Sequence, residues 1–142
     1  VLSAIPHKNA TIFFDELVHA SMHDGMRLSR ANKIAFKHND IHDLSQKLSA
    51  ERGLKFIAIE ALYSMDGDEA PLKQIVQLAK EHDAAIILDE AHSNGIFGSL
   101  GEGKAQAEGL HKDVFIRIHT FGKAIGAHGA VVLGNQTVKD FL

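Results

Sequence analysis

The chain has 142 residues, 45% of them hydrophobic and 23% charged, with a net charge of -3 and no cysteine. That length supports one ordinary core. The charge offers nothing to nucleic acid or an anionic membrane, and without cysteine both disulfide and thiolate chemistry are excluded.

No apolar run reaches the ~18 to 20 residues of a membrane span, and no signal peptide is visible, so a cytoplasmic protein without a membrane or nucleic-acid partner is expected. Val1 to Ile5 reads as the inside of an apolar element. With Val1 rather than Met at the start, the sequence is expected to be a piece of a longer protein. Thr11 to Val18 predicts a strand running into His19-Ala20-Ser21, and Lys55 to Ala61 predicts a second. Pro71 suits the first turn of a helix, where its missing N–H costs little. Leu72, Ile75, Val76 and Ala79 then line one face of that helix, which should end near His82-Asp83. Ala84 to Asp89 is almost wholly apolar, the pattern of a strand covered on both faces. Gly95 to Gly109 reads as an active-site loop running into a short helix. Strands follow at Val114 to Thr120 and Ala130 to Gly134. Alternation of this kind predicts an α/β fold with three αβα layers and a mainly parallel sheet.

In such sheets ligands bind at the carboxyl ends of the strands. Glu60, Asp89, His92 and Thr120 all fall at or just after strand ends and could share one rim. The string Thr120-Phe121-Gly122-Lys123-Ala124 adds a lysine flanked by small residues. An acid at a strand tip and such a lysine are what pyridoxal phosphate (PLP) enzymes use. The amine holds the cofactor aldehyde as a Schiff base, and the carboxylate keeps the pyridine nitrogen protonated.

Other motifs are decoys. Asp89-Glu90-Ala91-His92 spells a helicase signature, and Gly98 to Lys104 nearly spells a phosphate-binding loop. The residue after that lysine is Ala105, however, where a magnesium-ligating Ser or Thr is required. Among ten histidines, His19 with His23 and His38 with His42 have the spacing that puts two imidazoles on one helix face. No third ligand is placed beside either pair, and no metal is expected. Glu16, Asp24, Asp40 and Asp43 read as solvated carboxylates.

These residues together give the chain a resemblance to the α-oxoamine synthases, PLP-dependent enzymes of fold type I in the aspartate aminotransferase superfamily. The shared motifs run through Asp15 to Ser21, Phe36 to Asp40, Ser64 to Leu72, Asp89 to Ser93, Gly101 to Gly103 and Thr120 to Ala124. The resemblance implies that Lys123 carries the cofactor and moves the substrate α-proton, and that Asp89 pairs with the pyridinium nitrogen. It implies that His92 and Ser64 hydrogen-bond the phenolic oxygen, that His19 stacks on the ring face opposite the lysine, and that Thr120 donates to the phosphate. Glu60 is placed at the site without a definite role. The fold implied is the central part of the PLP-binding large domain. The glycine-containing phosphate turn, a helix-terminus site, is expected before residue 1, and the small domain with its carboxylate-binding arginine after residue 142.

The activity implied is a decarboxylating condensation of an amino acid with an acyl-CoA or acyl carrier protein thioester, carried out by a homodimer. L-Alanine with a pimeloyl thioester, a step of biotin biosynthesis, is the expected pair. Glycine or serine, as in sibling synthases, and a non-catalytic fragment are the alternatives. Residues 1 to 142 alone are expected to be inactive.

Overall fold

A computed structural model describes all 142 residues. Six strands form a single sheet in the order β2-β1-β3-β4-β5-β6. They are β1 (Thr11–Asp15), β2 (Asn32–Phe36), β3 (Lys55–Glu60), β4 (Ala84–Asp89), β5 (Ile116–Thr120) and β6 (Ala130–Gly134). All pairings are parallel except β5 with β6. The helices are α1 (Ala20–Leu28), α2 (Ile41–Ala50), α3 (Leu72–Glu81), α4 (Lys104–Ala107) and α5 (Gln136–Phe141).

Alternate residues of a strand face opposite sides of the sheet. Phe56 through Glu60 are nevertheless all buried, as are Ile86, Ile87 and Leu88, so both faces at the sheet centre are covered. This is the three-layer αβα arrangement expected from the alternation of strands and helices. Helix α3 turns Leu72, Ile75, Val76 and Ala79 into the core, as the 3.6-residue period requires. Helices α2 and α3 pack on each other, α2 also against β1 and β2 and α3 against β4.

Several elements differ from their expected extent. Strand β1 stops at Asp15, because the Asp15 carboxylate accepts the Leu17 N–H at 2.9 Å and turns the chain out of the sheet. Val1 to Ile5 is one turn in which Ala4 and Ile5 donate to the Val1 carbonyl, not the interior of a helix or strand. Pro71 caps α3 from outside rather than occupying its first turn. Strand β2, only one of whose five residues is buried, had no apolar pattern to announce it. Helix α2 starts at Asp40, whose side chain accepts the Asp43 N–H at 2.9 Å, an N-cap worth about 1 kcal/mol.

Candidate active site

Three neighbouring parallel strands each end in an acid: Asp15 on β1, Glu60 on β3 and Asp89 on β4. Glu60 and Asp89 are register partners. The next strand ends in Thr120, and Lys123 follows on the Phe121–Gly129 loop that returns the chain to β6. Parallel pairing therefore brings residues 15, 60, 89 and 120 to one rim, with the lysine loop beside it.

Glu60 is buried, and its carboxylate accepts the backbone N–H of His19 at 2.5 Å. Burial, together with the charges of Asp89 and Asp15, pushes its carboxyl up to about 7, against the pull of the His19 N–H and of Lys123. His19 is the N-cap of α1: its Nδ1 accepts the Ser21 N–H at 3.2 Å and lies 2.8 Å from Ser21 Oγ. The ring is thereby tied to the helix start and exposed at the rim. His92 is half-buried, and desolvation with the positive charges of Lys123 and His19 lowers its pKa, favouring the neutral imidazole. Asp89 and Lys123 thus act on the ionisation of both Glu60 and His92, and His19 acts on that of His92.

Asp89 makes one side-chain hydrogen bond, from the Ala91 N–H to Oδ1 at 2.8 Å. Thr120 Oγ1 is buried and has no hydrogen-bond partner. A buried hydroxyl in that condition is costly unless a ligand oxygen takes it, which suits a phosphate. Lys123 is exposed on its loop. Ser64 is exposed at the tip of a hairpin, Ala61–Ala70, closed by the Ala70 N–H on the Ala61 carbonyl at 3.2 Å and by Tyr63 on Asp68 at 3.0 Å.

The loop after β4 packs directly on the lysine loop. A Cβ on Gly95, which sits at φ +82°, would stand 2.8 Å from Ala124 Cβ, beside Lys123. Glu90, wholly buried, shapes the same loop: it accepts the N–H of Lys104 at 2.7 Å, that of Ala105 at 3.3 Å, and the Ser93 hydroxyl. The helicase-like string therefore serves a local fold. Lys104, the lysine of the near phosphate-binding loop, is buried between Glu69 and Glu108 at 2.5 Å each.

The histidine pairs do not form metal sites. His23 packs edge-on against Phe14, both nitrogens of His38 are taken by carboxylates, and His42 faces Gln46 at 2.9 Å. No group of three or more His, Asp or Glu residues is arranged to hold a metal ion. Glu16, Asp24 and Asp43 make surface contacts to His38 N, Arg27 and Lys47. Asp15, unlike them, is fully buried, and it closes an apolar strand as Glu60 and Asp89 do; its motif gave it no separate role in the sequence.

Comparison with known proteins identifies the family. The family Aminotransferase class I and II matches residues 2–142, and the chain belongs to that PLP-dependent family. Its relatives are α-oxoamine synthases. The 8-amino-7-oxononanoate synthase of Emericella nidulans is 43% identical over 157 residues, covering 100% of this chain and 38% of that protein. The 8-amino-7-oxononanoate synthase 2 of Bacillus subtilis is 41% identical over 144 residues, with 100% and 36% covered. Among solved structures, a serine palmitoyltransferase from S. paucimobilis with a bound PLP–myriocin aldimine superposes at TM-score 0.90 and 36% identity, over 95% of this chain and 34% of that one. The 8-amino-7-oxononanoate synthase of Francisella tularensis superposes at TM-score 0.84 and 31% identity, over 99% and 40%. The chain thus spans little more than a third of the length of these relatives. No helix is long and apolar enough to cross a membrane.

Proposed function

We propose that the full-length protein containing this chain is an 8-amino-7-oxononanoate synthase. The reaction would join the α-carbon of L-alanine to the acyl carbon of a pimeloyl thioester. Carbon dioxide and the free thiol leave, and 8-amino-7-oxononanoate is formed. The observation that carries this reading is the single rim on which Glu60, Asp89, His92 and Thr120 meet the Lys123 loop, combined with the 41–44% identity to synthases of that name.

When bound, PLP supplies an electron sink for the bond-breaking at the amino acid's α-carbon. In the proposed assignment Lys123 would hold the cofactor aldehyde and would move the α-proton at its Nζ. Asp89, which makes one side-chain hydrogen bond of its own, would pair with the ring nitrogen and keep it protonated. His92, kept neutral by its surroundings, donates to the phenolic oxygen with Ser64. His19, fixed at the start of α1, would stack on the ring, and Thr120 would give its free hydroxyl to the phosphate. Glu60 holds the His19 backbone in place.

A second reading rests on the serine palmitoyltransferase likeness: a sibling synthase taking serine, or glycine, with another acyl thioester. The full-length enzyme is proposed to be a cytoplasmic homodimer, a setting with which the cysteine-free sequence is compatible. Carbon dioxide release from carboxyl-labelled amino acids separates the readings. Turnover with L-alanine and a pimeloyl thioester, but not with serine and palmitoyl-CoA or glycine and acetyl-CoA, is expected. Turnover with one of the latter pairs alone would replace the proposal, and turnover with none would favour a non-catalytic protein.

A further inference from the structure

The string Lys37-His38-Asn39-Asp40 lies between β2 and α2 and supplies none of the residues assigned above. It nonetheless builds a polar cluster around Asp15 at the rim. His38 Nδ1 lies 2.9 Å from Asp15 Oδ1, and its Nε2 lies 2.7 Å from Asp68 Oδ2. A carboxylate at each ring nitrogen favours the imidazolium, which can donate from both, although the Asn39 amide nitrogen also lies 3.2 Å from Nε2. Burial opposes that charge, but the hydrogen bonds to Asp15 and Asp68 outweigh it and raise the pKa. Asn39, held at φ +53°, donates its backbone N–H to Asp15 Oδ2 at 2.9 Å and its side-chain amide to Asp68 Oδ2 at 2.7 Å.

What this cluster grips is the Ala61–Ala70 hairpin, by both arms. On the returning arm it takes the Asp68 carboxylate. On the outgoing arm the His38 ring packs edge-on against Tyr63, with centroids 4.5 Å apart at 87°. Ser64 is the next residue after Tyr63, at an exposed tip with no hydrogen bond of its own. Its place relative to the rim is therefore set by the arms alone. Lys104 holds the neighbouring Glu69 from the other side at 2.5 Å, so the hairpin is anchored at its base and its outer arm.

We propose that His38 is a positioning residue of this site: as a bridge between Asp15 at the end of β1 and Asp68 on the hairpin, it sets the position of Ser64 over the rim. The inference rests on the PLP-site reading and deepens it. Coupling of this kind has a specific signature. If His38 acts through Ser64, removing both costs no more than removing one, because contacting groups acting in one chain are not additive.

The test uses the full-length protein loaded with PLP and compares His38→Gln, Ser64→Ala, the double variant and Asp68→Asn. The readouts are the absorption of the bound cofactor, kcat and KM for the amino acid, and the unfolding midpoint. Ser64→Ala is expected to shift the balance between the long- and short-wavelength absorption forms. His38→Gln should reproduce that shift and lower kcat by about tenfold, as small misplacements of a positioned group do, and the double variant should match the singles. Asp68→Asn neutralises the carboxylate that faces both His38 and the Asn39 amide while leaving the His38–Asp15 contact in place, and it should give the same shift, which keeps the test decisive if His38→Gln does not fold. Cofactor on Lys123 with an unmoved spectrum in the His38 and Asp68 variants would overturn this inference alone, as would additive effects with Ser64→Ala. Absence of borohydride-reducible cofactor on Lys123 in the unaltered protein would overturn the site reading and this inference together.

Discussion

Glu60 and Asp89 are register partners at the carboxyl ends of β3 and β4, so two carboxylates stand side by side on adjacent strands of one rim. The charge of Asp89 opposes ionisation of Glu60. The pair divides the work: Asp89 is bonded by the Ala91 N–H, whereas Glu60 is buried and accepts the His19 N–H.

The Glu60 carboxyl sits at about 7 in the folded protein against an ordinary 4.5. Stability associated with its neutral form is thus fully present below about pH 4.5 and is lost as the pH rises toward 7. Glu60→Gln keeps an acceptor for the His19 N–H and removes the charge. In the full-length protein the variant should match wild type near pH 4.5 and exceed its stability above pH 7, by up to about 3 kcal/mol. Unfolding midpoints measured across pH 4 to 8 check this; a constant difference would show that Glu60 does not titrate against Asp89, Asp15, Lys123 and His19.

Lys123→Ala in the full-length protein should abolish the cofactor adduct trapped by borohydride. Lys104, the other lysine in a glycine-rich string, is buried between Glu69 and Glu108, which raise its pKa over the opposing effect of burial and keep it an ammonium. Peptide mapping of the reduced adduct decides between them, and a label centred on Lys104 would sink the assignment.

Asp89→Asn should leave the cofactor attached and slow exchange of the alanine α-deuteron. A ring nitrogen without a carboxylate partner loses its proton and with it the capacity to take up charge. The expected loss is on the order of 100-fold, as for removal of one preorganised electrostatic partner. Exchange near the wild-type rate would leave Asp89 a structural role only.

Thr120→Val deletes the hydroxyl whose oxygen is buried without a partner. Removing an unsatisfied group is expected to leave the cofactor-free protein as stable as before, or slightly more so, while PLP binds about tenfold more weakly for one lost hydrogen bond. Equilibrium titration with PLP, paired with thermal unfolding of the apo-protein, separates the two effects. Unchanged affinity would remove Thr120 from the phosphate site.

Gly95→Ala probes the contact between the two site loops. The added methyl meets Ala124 at 2.8 Å, and the φ of +82° strains any L side chain. A destabilisation of roughly 1 to 3 kcal/mol is expected, with the larger functional loss in the Lys123 loop, read as slower cofactor attachment. A variant with wild-type attachment kinetics would mean that Ala124 and its loop yield freely.

Much of this protein was decided locally, in the chain itself. The apolar run ending at Asp89, the period of Leu72, Ile75, Val76 and Ala79, and the small residues around Lys123 identified strands, helix and chemistry, because burial leaves its period in the sequence. Strand β2 and the end of β1 were hidden for the opposite reason. Asn32–Phe36 is mostly exposed and carries no pattern, and the turn after Asp15 is made by a side-chain hydrogen bond that composition does not record. Tertiary structure alone decided which carboxylates meet. Asp15, Glu60 and Asp89 lie far apart in the chain, and the order β1-β3-β4 makes them neighbours. It also decided that His38, with a spacing that suggested a metal, spends both ring nitrogens on Asp15 and Asp68. A sequence lists the donors and acceptors, but only the pairing of strands and the closing of loops determine which of them come within hydrogen-bond reach.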